Sequence, residues 1–177
     1  LTLNPNSIEA YYNLSMAYYQ IKSFDEAVEG FQKAIAIKPD YTEAHYNLGN
    51  AFKELGQLDE AIESYYKAIL IKPDYVEAHN NLGTGLQGLG QLDDAVLSYK
   101  KALATKPDYA EAHSNLGVAF HQLKLLNDAL ACHKKALAIK PDYAEANNNL
   151  GVAFKELGQL AEAEASYNKA ISIRPDY

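Results

Sequence analysis

Between Tyr41 and Leu55 the apolar and small side chains stand at Ala44, Leu48, Ala51, Phe52 and Leu55. Steps of three and four put them on one face of a helix. The stretch opens Asp40-Tyr41-Thr42-Glu43 directly after Pro39, which reads as an Asx-x-x-Glu capping box. It is expected to stop at Gly56, a residue suited to the left-handed position after a helix. A second stripe follows: Leu58, Ala61, Ile62, Tyr65, Ala68 and Ile69. Asp59 and Glu60 favour its positive start, Lys67 and Lys72 its negative end, and Pro73 closes it. The pattern predicts a short helical hairpin.

That hairpin recurs. Proline occurs only at 5, 39, 73, 107, 141 and 175, and each gap is 34 residues (39 − 5 and so on). Leu14, Leu48, Leu82, Leu116 and Leu150 share one column of the repeat, and Ala27, Ala61, Ala95, Ala129 and Ala163 share another. Five repeats are expected, at 8–41, 42–75, 76–109, 110–143 and 144–177, with about ten helices. Residues 1–7 read as the tail of a truncated preceding repeat, because Leu1-Thr2-Leu3-Asn4-Pro5 matches Ile35-Ala36-Ile37-Lys38-Pro39. The chain is therefore expected to be a piece of a longer array. A fixed period of this size marks an array in which each unit buries its apolar face against its neighbours rather than in one central core. Ala61, Ala68 and Gly49 are small enough to let two helices approach, with Leu48, Phe52 and Tyr65 filling the space around them.

The second repeat reads His45-x2-Leu48-Gly49-x2-Phe52, then Ala61-x3-Tyr65, then Pro73. This resembles the tetratricopeptide repeat family, over essentially the whole chain. Departures are local. The family's usual Trp column holds Tyr11, His45, His79, His113 and Asn147; Ser15 stands in the Gly column; Lys124 stands where Gly56, Gly90 and Gly158 do; His133 replaces an aromatic. The resemblance implies an all-α, right-handed superhelical α-solenoid whose first helices line a concave groove, and a non-catalytic scaffold that binds a protein or extended peptide there.

Helical spacing identifies the columns that face such a groove. One is Asn13, Asn47, Asn81, Asn115 and Asn149. A primary amide both donates and accepts, so a row of them could pair with the backbone of an extended peptide whatever its sequence. The other reading is that they hold neighbouring helices together. Beside this row the first two repeats offer Tyr12, Tyr19, Tyr46, Asn50 and Lys53. The middle offers Asn80, Thr84 and Gln87, and the last two offer Ser114, Val118, His121, Asn148, Val152 and Lys155. Aromatic density is highest at the N-terminal end, where an anchoring side chain would dock.

Relatives that bind acidic chaperone tails use a clamp of Lys and Arg. Here the corresponding column holds Glu9, Glu43, Glu77, Glu111 and Glu145, read as capping residues, and no Arg precedes Arg174. The array is also similar to those that precede the catalytic region of O-linked sugar-nucleotide glycosyltransferases, which implies substrate presentation as an alternative role. Self-association is a third, because Tyr167, Ala170 and Ile171 on the last helix are expected to lack a covering helix.

Composition narrows the field. The net charge is −7, so no basic stripe exists to displace counterions from nucleic acid. Cys132 is single, which excludes an internal disulfide and fits a cytoplasmic location. The longest aliphatic run, Ala68-Ile69-Leu70-Ile71, is far short of the ~20 residues that cross a bilayer, so no membrane partner is expected. Gly83-Thr84-Gly85-Leu86-Gln87-Gly88 matches G-x-G-x-x-G, but it lies inside a helical stripe rather than between strand and helix. His45, His79 and His113 are a repeat apart, and helices pack ~8–10 Å from each neighbour, too far to share a metal ion. No nucleophile, cofactor or metal site is expected.

Overall fold

The computed structural model describes residues 7–176. The expected tail at 1–7 lies outside them apart from Ser7. Ten α-helices and no strand occur among the described residues, and they fall into two compact units that meet between Gly90 and Gln91. The first holds α1 (Ile8–Gln20), α2 (Phe24–Ile37), α3 (Thr42–Glu54), α4 (Leu58–Ile71) and α5 (Val76–Gly88). The second holds α6 (Leu92–Thr105), α7 (Ala110–Gln122), α8 (Leu126–Ile139), α9 (Ala144–Glu156) and α10 (Leu160–Ile173). Within the first unit α1 packs on α2 and α3 on α4, while α1, α3 and α5 lie side by side. Within the second, α7 packs on α8, α9 on α10, and α7 lies beside α9.

The helix starts differ from the sequence expectation. Tyr41, Tyr75, Tyr109 and Tyr143 are the N-cap residues, and none has a side-chain cap bond. Asp40 lies one residue too early, inside the turn closed by Tyr41 N–H donating to the Lys38 carbonyl at 3.1 Å. No Asx-x-x-Glu box forms. Glu43, Glu77, Glu111 and Glu145 are exposed first-turn charges that favour the positive helix end. The tyrosine also meets the residue before the proline: the ammonium of Lys38 sits 5.1 Å from the centre of the Tyr41 ring, and that of Lys72 5.0 Å from Tyr75, each a cation–π contact. Ser7 does cap α1, its hydroxyl accepting from Ala10 N–H at 3.2 Å. At the other ends Gly56, Gly90 and Gly158 take φ of 74°, 75° and 75°, and Lys22 and Lys124 are forced to 62°.

In repeats two, four and five the helix crossing rests on a close contact at the first-helix glycine, Gly49, Gly117 or Gly151. A Cβ on Gly49 would lie 2.6 Å from Tyr65 Cε1 and 3.1 Å from the Ala61 carbonyl; on Gly151 it would lie 2.8 Å from Tyr167 Cε1. Repeat one solves the same problem in reverse. Ser15 occupies the Gly column and is wholly buried, and Gly30 stands where the other repeats carry Ser64, Ser98, Cys132 and Ser166. A Cβ on Gly30 would overlap the Ser15 hydroxyl. We therefore expect Gly30→Ser alone to cost about 1–3 kcal/mol through overpacking. The Gly30→Ser, Ser15→Gly pair should recover most of it. Denaturant melts of the two variants check this; a double variant as unstable as the single would break the pairing.

Helix α5 contains Gly83, Gly85 and Gly88, so the G-x-G-x-x-G run lies within a helix. Gly in a helix costs ~1 kcal/mol relative to Ala. Amide exchange in α5 is expected to outpace that in α3 and α7, as hydrogen-exchange mass spectrometry can measure. In α10 the packing seen is against α9, its hairpin partner. Ala170 is buried and Tyr167 half-buried over Gly151 of α9, while the large apolar side chains of Ile171 and Leu160 are exposed. No described helix is long and apolar enough to cross a membrane.

Candidate functional site

In the first unit the expected groove residues lie along α1, α3 and α5 and are joined by a ladder of side-chain hydrogen bonds. Asn47 Nδ2 donates to Tyr12 Oη at 2.8 Å, and Asn81 Nδ2 donates to Tyr46 Oη at 3.1 Å. Each amide thus reaches back 35 residues to the phenol of the preceding repeat. Asn50 ties the rungs together. Its Oδ1 accepts from Asn81 Nδ2 at 2.9 Å and from Tyr65 Oη at 2.9 Å, while its Nδ2 reaches Asn47 Oδ1 at 3.4 Å. Asn81 therefore has both amide hydrogens engaged. Of the two readings of the Asn row, the ladder shows the structural one operating at Asn47 and Asn81.

The aromatic members are packed rather than splayed. Tyr12 lies 5.0 Å from Tyr41 and 5.8 Å from Phe31, centre to centre. Tyr46 lies 5.0 Å from Tyr75, and Tyr19 meets Phe24 edge-on at 5.4 Å. All of these phenols are half-buried. Burial pushes the Tyr12, Tyr19 and Tyr75 hydroxyls above their ordinary range, so they act as neutral donors and acceptors at physiological pH. Lys53 and Gln87 are half-buried, and Asn13 and Thr84 are exposed. Asn80 is corrected: it is wholly buried, with Nδ2 directed at Asn81 Oδ1 at 3.3 Å, so it cannot meet a ligand and supports the ladder from beneath.

In the second unit α7 and α9 carry Asn115, Val118, His121, Asn148, Asn149 and Val152, all half-buried, and exposed Lys155. Ser114 is corrected in the same way as Asn80, being 1% exposed. The wall differs chemically here. Val118 stands in the Asn50 column, Ser114 in the Tyr46 column and His133 in the Tyr65 column, so the residue types that partner Asn81 in the ladder are absent around Asn149. Val118, His121, His133, Asn149 and Val152 instead enclose a cavity of about 50 Å³. At its rim His121 Nε2 lies 2.8 Å from Glu156 Oε1, and Lys124 Nζ 3.6 Å from Glu156 Oε2. The His121 hydrogen bond holds the Glu156 carboxyl below its ordinary range. Glu156 is a wall residue that helical spacing does not single out, whereas it does single out Lys155 beside it.

The remaining candidate chemistry has structural explanations. His45, His79 and His113 each place Nε2 2.8–2.9 Å from the carbonyl of Pro39, Pro73 or Pro107. A carbonyl only accepts, so Nε2 carries the proton and each ring pins the preceding turn. Asn147, in the same column, donates to Tyr143 O at 3.1 Å. Among the described residues no three His, Cys, Asp or Glu side chains are grouped to hold a metal ion. Burial pushes the Cys132 thiol up to about 11, which leaves it a poor nucleophile. Larger cavities of about 600 and 420 Å³ lie away from this wall, in equivalent places of the two units around His113 and Cys132 and around His45 and Ser64.

The family described as TPR repeat matches residues 16–56, 49–84 and 88–124, and that described as tetratricopeptide repeat matches 108–176. No curated protein sequence matches the chain. Among solved structures, PilW, described as a widely conserved type IV pilus biogenesis factor, is 27% identical with a TM-score of 0.88, over 96% of this chain and 79% of that one. MamA from Desulfovibrio magneticus RS-1 is 21% identical with a TM-score of 0.87, over 95% of both chains. YrrB, described as a TPR protein with an unusual peptide-binding site, is 24% identical with a TM-score of 0.79, over 98% of this chain and 90% of that one. The likeness in fold is that of an all-α solenoid array of paired helices.

Proposed function

The chain belongs to the tetratricopeptide repeat family, and we propose that it is a non-catalytic scaffold holding an extended segment of a partner protein against its first helices. The observation that carries this reading is the amide–phenol ladder. It fixes a half-buried polar and aromatic surface on rigid helices before any ligand arrives. Preorganisation of that kind lowers the ordering cost of binding. Half-buried phenol rings provide anchors of large area and low side-chain entropy. Lys53 in the first unit and Lys155 in the second each add positive charge beside their own first helices, suited to acidic positions of the segment. The description of YrrB as peptide-binding fits the same use of the fold.

Asn47 and Asn81 hold the wall together, so replacing them would confuse folding with binding. The test instead uses Asn13→Ala, Lys53→Ala and Asn149→Ala, with Leu70→Ala on the outer side of α4 as the control. Peptides selected from a random library by the intact chain are titrated against each. Several-fold weaker binding by the first three, at unchanged thermal melts, supports the reading. Weakening by Leu70→Ala alone would move the site to the other side of the array. A second reading, self-association, draws on the exposed Leu160 and Ile171 of α10; light scattering that stays monomeric over a concentration series removes it.

A further inference from the structure

The cavity beneath α7 and α9 follows from a missing phenol. In the first unit Tyr65 fills the space over Gly49 and its hydroxyl reaches Asn50. In the second unit His133 lies over Gly117 in the same way, with Cε1 2.6 Å from where a Cβ would be. An imidazole is shorter than a phenol ring, and Val118 offers it no polar partner. The result is a recess of about 50 Å³ with His133 as its floor, Val118 and Val152 as apolar flanks, and Asn149 and His121 at its sides. His133 is 1% exposed, and its Nδ1 has no hydrogen-bond partner. Nδ1 of His45, His79 and His113 is open in the same way; at His133 the ring with the open nitrogen forms the floor of a recess, where the hydroxyl of an occupant would satisfy it. The mouth opens through half-buried residues that all lie on the wall assigned to the peptide.

We propose that this recess is a side-chain pocket that takes a short hydroxyl side chain, serine or threonine, of the bound segment. The inference rests on the reading of the first-helix wall as the peptide site. Size and chemistry select the occupant. One water needs ~10–15 Å³ of such space, so the recess admits roughly three or four non-hydrogen atoms. A hydroxyl donates and accepts through one atom, which matches a neutral imidazole and a carboxamide together. Burial pushes His133 down to about 4, so at neutral pH the floor carries no charge to attract a carboxylate or phosphate. The valine methyl groups suit the methyl of threonine, whereas a lone water would leave them uncontacted.

The experiment selects ligands from a random-sequence peptide library on the intact chain and on His133→Tyr. Tyrosine fits over glycine in this setting at Gly49 and Gly151, so the variant fills the recess with the fold kept, as a melt at or above the parent's midpoint will show. Parent-selected peptides are expected to share a serine or threonine at one position, with roughly tenfold weaker binding when it becomes alanine. On His133→Tyr that difference should vanish while the rest of the peptide still binds. Val118→Asn, which gives the imidazole an internal polar partner as Asn50 does for Tyr65, is expected to erase the preference too. Peptides bound with no hydroxyl preference, or a preference that survives both variants, overturn the pocket and leave the wall intact. No peptide bound along this wall at all would sink the wall reading and the pocket with it.

Discussion

Tyr65→Ala is expected to lower the stability of the chain by about 3–5 kcal/mol, the range for truncating a fully buried aromatic to alanine. The ring is wholly buried and lies against Gly49, a position with no Cβ to relax into the space left behind. The hydroxyl is the lower support of the ladder: it donates to Asn50 Oδ1, which also receives Asn81 Nδ2. Burial raises its pKa far above the ordinary phenol value, so it is a donor at every pH the fold survives. Tyr65→Phe separates the two contributions. It keeps the ring and removes only the hydrogen bond, for a loss of about 1 kcal/mol. Urea melts of both variants followed by far-ultraviolet circular dichroism measure this. A Tyr65→Ala midpoint within error of the parent would contradict the packing described for α3 and α4.

Acid should weaken the parent more than the His133→Tyr variant, by about 2–3 kcal/mol between pH 7 and pH 4. His133 in the folded chain is pushed down to about 4, chiefly by burial and secondarily by His121, from an ordinary 6.5. Above 6.5 both the folded and unfolded states hold it neutral, and nothing is lost. Between 6.5 and 4 the unfolded chain takes a proton that the folded chain refuses, so stability falls as the pH falls through that window. A tenfold loss of proton affinity on folding is worth about 1.36 kcal/mol, which sets the size. Carboxylates contribute to acid unfolding in both proteins, so the difference between the two pH profiles isolates the imidazole. Parallel profiles would mean that protonated His133 is accommodated in the fold.

The helices were legible because the 34-residue period repeats the same apolar stripes, and stripes such as Leu58, Ala61, Ile62 and Tyr65 depend only on local spacing. The helix starts were less so. Asp40 and Glu43 have capping-box chemistry, but a one-residue offset imposed by the turn after Pro39 makes Tyr41 the cap. The Asn row was readable as a column, yet its partners were not, since a bond from Asn47 to Tyr12 depends on the lateral shift between α1 and α3. Asn80 and Ser114 looked like surface residues because α3 presents Tyr46 in that column; in α5 and α7 the smaller side chains sink into the interior. Ser15 and Gly30 each look like a defect alone. Only side by side do they read as one exchange of volume across a crossing. His133 was visible as a departure from the aromatic column, but the recess needs Val118 and Asn149 placed beside it.

The backward reach of each amide gives the array a direction. A designer cutting it into 34-residue cassettes would find that they are not interchangeable. Copies of 42–75 joined in series would carry Tyr46 and Asn47 at every seam and stitch themselves throughout. Copies of 110–143 would offer Asn115 the hydroxyl of Ser114 in place of a phenol, too short to rebuild the rung, and their seams would lack that stitch.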